Sequence, residues 1–97
     1  MEIHKERTGD RLRVGVSGRL DTLTAPQLEA ELAELTGVNA LVFDFAGLDY
    51  ISSAGLRVLL TVLKRLPSPG GVSVVNLSPV VREVFDMTGF STFLRLD

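Results

Sequence analysis

The chain has 97 residues, 45% hydrophobic and 23% charged, with ten basic against twelve acidic side chains and a formal net charge of −2. One domain is expected at this length, the charge balance offers no footprint for nucleic acid, and the absence of cysteine excludes disulfides and thiol chemistry. No apolar run approaches the ~18 residues of a membrane span, so no membrane partner is expected, and no signal-peptide pattern opens the chain, which favours a cytoplasmic address.

Glu2 to Arg7 and Arg11 to Ser17 read as two strands, with Thr8-Gly9-Asp10 as the hairpin turn between them. In the second strand Leu12, Val14 and Val16 alternate with Arg11, Arg13 and Ser17. That pattern fits an antiparallel edge with one solvated face. His4, the single histidine, reads as surface decoration. Gly18-Arg19-Leu20-Asp21 is expected to leave the sheet. Thr24-Ala25-Pro26-Gln27 is a capping-box pattern with proline in the first turn. Leu28, Leu32 and Leu35 mark the buried stripe of the helix that follows, Glu29, Glu31 and Glu34 its solvated face, and Thr36-Gly37 its end.

Leu41-Val42-Phe43, continuing through Asp44 to Phe45, is an apolar run of the kind found in strands buried on both faces. After the polar break at Gly47, Leu48, Asp49 and Tyr50 come Ile51, two adjacent hydroxyls at Ser52 and Ser53, and then Ala54, Gly55 and Leu56. The spacing of Leu56, Leu59, Leu60 and Leu63 predicts a helix, with Arg57, Thr61, Lys64 and Arg65 on its opposite stripe. The two serines therefore stand where a strand hands over to a helix, at the carboxyl edge of the sheet, where open α/β folds build their sites. A serine here caps the helix start, or else carries a phosphate, since unpaired N–H groups and the helix dipole favour an anion there. Arg57, one turn on from Ser53, would face such a phosphate. Gly55, without a Cβ, lets the helix or a partner's backbone come close.

Pro67-Ser68-Pro69-Gly70-Gly71 is a breaker cluster, and Val72 to Leu77 reads as the fourth strand. Ser78-Pro79 opens a third helix as N-cap and first residue. Val80, Val81, Val84 and Phe85 are its expected buried stripe, Arg82 and Glu83 are solvated, and Thr88-Gly89 ends it. Phe90, Phe93, Leu94 and Leu96 lead into a short last strand. The order ββαβαβαβ predicts an α/β fold: a mixed sheet of about five strands with an N-terminal antiparallel hairpin, covered by three helices, with right-handed crossovers.

Enzyme chemistry finds little support. Around Ser53, Gly55 supplies only half of a Gly-x-Ser-x-Gly elbow, because Ile51 stands where the first glycine belongs. No glycine-rich phosphate loop appears. No His or carboxylate cluster has metal spacing, Asp44 and Asp49 being isolated. Asp44 lacks the earlier strand-end acidic pair that a phosphoaccepting aspartate needs. No catalytic residue, metal or cofactor is expected.

The stretch Asp49-Tyr50-Ile51-Ser52-Ser53-Ala54-Gly55-Leu56-Arg57-Val58-Leu59-Leu60 resembles the switch-site segment of bacterial anti-sigma factor antagonists, which are single STAS domains. Gly18-Arg19-Leu20-Asp21 is similar to that family's Gly-x-Leu-Asp segment at the end of its second strand. Ser78-Pro79 through Phe85-Asp86-Met87-Thr88-Gly89-Phe90 is similar to its third helix and the loop after it. The pieces stand in the family's order over nearly the whole chain, implying one STAS domain over residues 1–97.

The resemblance implies a protein-binding module rather than an enzyme. Unphosphorylated, it would bind an anti-sigma factor that is also a serine kinase and so release a sigma factor. Phosphorylation would end the binding, and a metal-dependent serine phosphatase would restore it. The family's motif, Asp-Ser-(Ser/Thr)-Gly-Leu, is phosphorylated on the first serine, which implies Ser53 here. Ser52 replaces the usual aspartate and is a rival site. Asp21, Thr22, Ser52, Ser53, Ala54, Gly55 and Arg57 are implied to bind the partner, with Asp21 beside the switch serine. Many members carry a further C-terminal helix, expected to be missing from a chain that stops at Asp97. Two alternatives stand beside the switch: a STAS scaffold that does not switch, and a STAS domain that binds a nucleotide or lipid. A monomer is expected, because no contiguous apolar surface stripe is left unassigned.

Overall fold

A tight turn joins the first two strands. β1 (Glu2–Thr8) and β2 (Arg11–Leu20) pair antiparallel from Glu2↔Ser17 to Thr8↔Arg11. Gly9 takes the left-handed conformation of the turn, at φ +62°. The computed structural model describes residues 1–66, 71–92 and 94–96, and of Arg95 the backbone alone. The breaker Pro67-Ser68-Pro69-Gly70, Phe93 and Asp97 lie outside the described residues.

Among the described residues the sheet has five strands in the order β1-β2-β3-β4-β5. β3 (Ala40–Ile51) runs parallel to β2, β4 (Val72–Val75) parallel to β3, and β5 (Arg95–Leu96) parallel to β4. β1 is thus the edge, and β2, which reads as an edge, lies inside the sheet. Nor does β2 leave the sheet at Gly18. Its pairing with β3 slips between Gly15 and Ser17 and again between Gly18 and Arg19, then resumes to Leu20↔Ile51. Gly18, at φ +92°, absorbs the bend. The long parallel partner carries β2 three residues farther than its own alternation predicts.

α1 (Ala25–Glu31), α2 (Ser53–Arg65) and α3 (Pro79–Thr88) each fill one crossover. Leu28 of α1, Leu59 and Val62 of α2 and Phe85 of α3 join one apolar cluster with Val14, Val16, Phe43, Phe45 and Val74 of the sheet. Phe85 meets Phe45 edge-on at 6.4 Å between ring centres. Those strand residues share one sheet face, so all three helices cover that face. This agrees with a strand order in which each crossover moves one place in the same direction, as crossovers of one hand require. The expected burial of β3 on both faces holds only in part. Val42 is buried, but Asp44 on the helix-free face is half-exposed, accepting Arg13 Nη2 at 2.8 Å and Asn76 Nδ2 at 3.0 Å.

The helices differ from their sequence readings in register and length. α1 stops at Glu31. Leu32 and Leu35 are buried from the turns beyond it, and Arg65 donates to the freed carbonyls of Leu32 and Ala33 at 2.8 and 2.6 Å. α2 buries Gly55, Leu56, Val58, Leu59 and Val62, while Leu60 and Leu63 are half-buried. On α3, Ser78 Oγ caps Val81 N–H at 3.2 Å as expected. Val81 and Phe85 face the sheet; Val80 is 58% exposed and Val84 half-buried. Adjacent helical residues diverge by about 100°, so Val80 and Val81 cannot both face the core. β4 ends at Val75 rather than Leu77, because Asn76 turns to φ +60° and reaches Asp44 instead of continuing the ladder.

Candidate functional site

The carboxyl ends of β2 and β3 meet beside the starts of α1 and α2. Ser52 N–H donates to Leu20 O at 2.9 Å, which ties the β3–α2 junction to the end of β2. Ser52 has extended backbone, φ −102° and ψ 177°, and its carbonyl accepts Leu56 N–H at 3.1 Å. It therefore holds the N-cap position. Its hydroxyl does not cap: Oγ is buried and has no hydrogen-bond partner among the described residues. Ser53, the first residue of α2, is exposed. The two adjacent hydroxyls thus have opposite surroundings.

Gly55 explains how closely α2 approaches the sheet. A Cβ there would lie 2.7 Å from Leu20 Cγ and 2.9 Å from Ile51 Cγ1. Both neighbours are buried core residues, and so is Gly55 itself. Its part is to seat the helix start on the ends of β2 and β3, not to present a surface.

Asp21 closes a capping box, though not the one that Thr24-Ala25-Pro26-Gln27 suggests. Asp21 Oδ1 accepts Thr24 N–H at 3.2 Å, and Asp21 N–H donates back to Thr24 Oγ1 at 2.9 Å. Leu23 N–H also donates to Asp21 Oδ1, at 3.0 Å, and Ala25 N–H to Asp21 O at 2.8 Å. Thr24 makes no cap bond toward α1; its hydroxyl instead donates to Arg19 O at 2.7 Å. Desolvation pushes the Asp21 carboxyl up, but the hydrogen bonds from Thr24 and Leu23, with the Arg19 charge, leave it below its ordinary value. The Arg19 guanidinium lies 4.3 Å over the Tyr50 ring centre, with Nε 3.7 Å from Asp21 Oδ2.

Between the two helix starts lies an open groove of about 220 Å³. Thr22, Ala25, Pro26 and Glu29 form one wall, and Ala54, Arg57 and Val58 the other. Arg57 is exposed, and its side chain makes no ion pair or hydrogen bond among the described residues. Of the residues expected at the site, Thr22, Ser53 and Arg57 are exposed, Asp21, Ser52 and Ala54 are partly buried, and Gly55 is buried. Of that first wall only Thr22 was expected at the site; Ala25, Pro26 and Glu29 read as part of an ordinary amphipathic helix. Leu23, next to Thr22, is 89% exposed, and no motif in the sequence singles it out. Its one signal is that it is a leucine outside every apolar stripe. Among the described residues, no group of three or more His, Asp or Glu side chains could hold a metal.

The family model described as the STAS domain matches residues 2–97. BtrV of Bordetella bronchiseptica, named as an anti-sigma factor antagonist, is 43% identical over 93 residues, covering 93% of this chain and 80% of that protein. The anti-sigma-B factor antagonist of Bacillus subtilis is 29% identical over 87 residues, covering 88% of this chain and 80% of its own. The crystal structure of an anti-sigma factor antagonist from Mycobacterium paratuberculosis superposes with a TM-score of 0.87 at 29% identity. The match covers 98% of this chain and 83% of that one.

Proposed function

The chain belongs to the STAS domain family, and from that premise we propose that it is an anti-sigma factor antagonist switched by phosphorylation of Ser53. Unmodified, it binds an anti-sigma factor that is also a serine kinase, and the sigma factor held by that protein is released. The kinase then moves the γ-phosphoryl group of its ATP onto Ser53 Oγ. The bond from phosphorus to the bridging oxygen breaks, ADP leaves, and the serine proton passes to a base on the partner. A metal-dependent serine phosphatase hydrolyses the phosphoserine with water and restores the binding form. The chain itself is a binding module, not an enzyme, and its proposed address is the cytoplasm. No helix among the described residues is long and apolar enough to cross a membrane.

One observation carries the assignment of the serine. Ser53 is exposed at the first position of α2, whereas the Ser52 hydroxyl is buried. A kinase reaches the first without disturbing the fold and the second only by opening it. A phosphate on Ser53 sits at a helix N-terminus, where unpaired N–H groups and the dipole favour an anion. The modified protein is therefore stable when free. In a packed interface the same strongly hydrated charge must be desolvated or repelled, so binding is lost. The exposed hydroxyl is also what a scaffold without a switch would not need.

Intact-mass measurement after incubation with the anti-sigma factor and ATP tests the reading. One added phosphate is expected, and none on Ser53→Ala. Label that persists on Ser53→Ala, or that maps to Ser52, would overturn it.

A further inference from the structure

Arg57 stands four residues after Ser53, so the two side chains lie on one face of α2 about one turn apart. Two other arginines are engaged: Arg19 lies on Tyr50 beside Asp21, and Arg65 holds the carbonyls of Leu32 and Ala33 just past α1. Arg57 has no acceptor among the described residues. Glu29 lines the same groove, yet no ion pair joins them. The rest of the groove is the exposed Thr22 and the apolar or small Ala25, Pro26, Ala54 and Val58.

We propose that this groove receives an apolar side chain of the anti-sigma factor with a carboxylate beside it, that the carboxylate pairs with Arg57 while Ser53 is bare, and that phosphate on Ser53 claims Arg57 for itself. The proposal rests on the reading of the chain as an antagonist switched at Ser53. Charge complementarity selects the occupant. An apolar floor beside an unpaired guanidinium fits an apolar side chain next to an acid. A partner without the acid would desolvate Arg57 and leave it unpaired. The phosphate competes well for the same cation. It is on the same chain, one helical turn away, and its oxygens match the guanidinium fork. Phosphorylation then acts twice. It puts negative charge into the interface, and it takes away the cation that paired the partner's carboxylate.

Two measurements test this. With phosphoserine installed at position 53, the second ionisation of the phosphate is followed by ³¹P NMR. An exposed pair of this spacing contributes little, so Arg57→Ala is expected to weaken the acid by only about two- to threefold, moving it back toward a pKa of about 6. The second measurement titrates unmodified and phosphorylated protein, each with Arg57 or Arg57→Ala, against the anti-sigma factor that binds the unmodified wild type. Arg57→Ala is expected to weaken unmodified binding about tenfold. Phosphorylation is expected to weaken the variant by a factor at least about threefold smaller than it weakens the wild type. Arg57→Lys, which keeps the charge and loses the fork, falls between.

An unchanged ³¹P titration, an unchanged affinity of unmodified Arg57→Ala, or an equal phosphorylation penalty in both proteins each overturns the role of Arg57 and leaves the Ser53 switch standing. A wild-type affinity that does not respond to phosphorylation overturns both. Arg57 is exposed, so the melting temperature of Arg57→Ala should match wild type and show that the fold is intact.

Discussion

The backbone N–H of Ser52 donates to the carbonyl of Leu20 at 2.9 Å, and this bond joins two segments more than thirty residues apart into one corner of the molecule. Beyond Leu20 lies the Asp21–Thr24 capping box; beyond Ser52 lies the exposed Ser53. The candidate partner surface and the candidate modification site thus share a rigid base.

Gly55 is where that base is least tolerant. A Cβ would press on Leu20 and Ile51, which are buried and have nowhere to move. Gly55→Val should lower stability by roughly 2–3 kcal/mol through overpacking, and Gly55→Ala by about 1–2. Thermal melting reads both. A Val variant that melts with wild type would show that α2 lifts off the sheet at no cost.

Ser52→Ala should have the opposite sign. Replacing a capping serine by alanine typically costs about 1 kcal/mol. Here the hydroxyl makes no cap bond and is buried with no partner among the described residues, so its removal ends a desolvation cost. The midpoint of urea unfolding should stay level or rise. A fall of the ordinary capping size would mean that the hydroxyl finds a partner in solution.

Asp21 makes part of the stability dependent on acid. Its folded-state carboxyl lies below the ordinary value of 3.8 because the Thr24 and Leu23 hydrogen bonds outweigh desolvation. A group whose pKa is lowered on folding contributes fully above its unfolded value, about 4, and loses that contribution as the pH falls through the lower folded value. The contribution is therefore present at pH 7 and disappears below about pH 4. Glu34, hydrogen-bonded by Thr36, and Asp44, hydrogen-bonded by Asn76, move in the same direction. Comparing the acid limbs of wild type and Asp21→Asn isolates the Asp21 share. The variant should show a shallower limb, and parallel limbs would deny Asp21 its part.

The switch itself has a sign. Ser53→Asp should weaken binding to the anti-sigma factor, and by less than phosphorylation does, because aspartate carries less charge than phosphate. Ser53→Ala should bind persistently in the presence of ATP. Tighter binding by the phosphorylated form would mean a partner that reads the phosphate with a cluster of arginines, and would reverse the proposed mechanism.

Much of this molecule is written in local patterns. The alternation of Leu12, Val14 and Val16, the turn glycine Gly9, the cap Ser78 and the handover from Ile51 through two serines to a helix can be read directly. Each depends on neighbours within a turn or a strand, and the resemblance to antagonists of sigma regulation follows from such short stretches. What tertiary structure decided was everything set by partners distant in sequence. β2 stays in the sheet to Leu20 because Ile51, thirty-one residues on, pairs with it. Asp44, inside an apolar run, faces outward because the strand order puts all three described helices on the other sheet face. Val81 is buried and Val80 exposed because α3 has one rotation against Phe45, which helical spacing alone does not choose. For the same reason Ser52 and Ser53, identical in type and adjacent in sequence, differ in exposure. The bond to Leu20 and the close seat of Gly55 set the entry angle of α2, and that angle turns one hydroxyl inward and the other toward solvent.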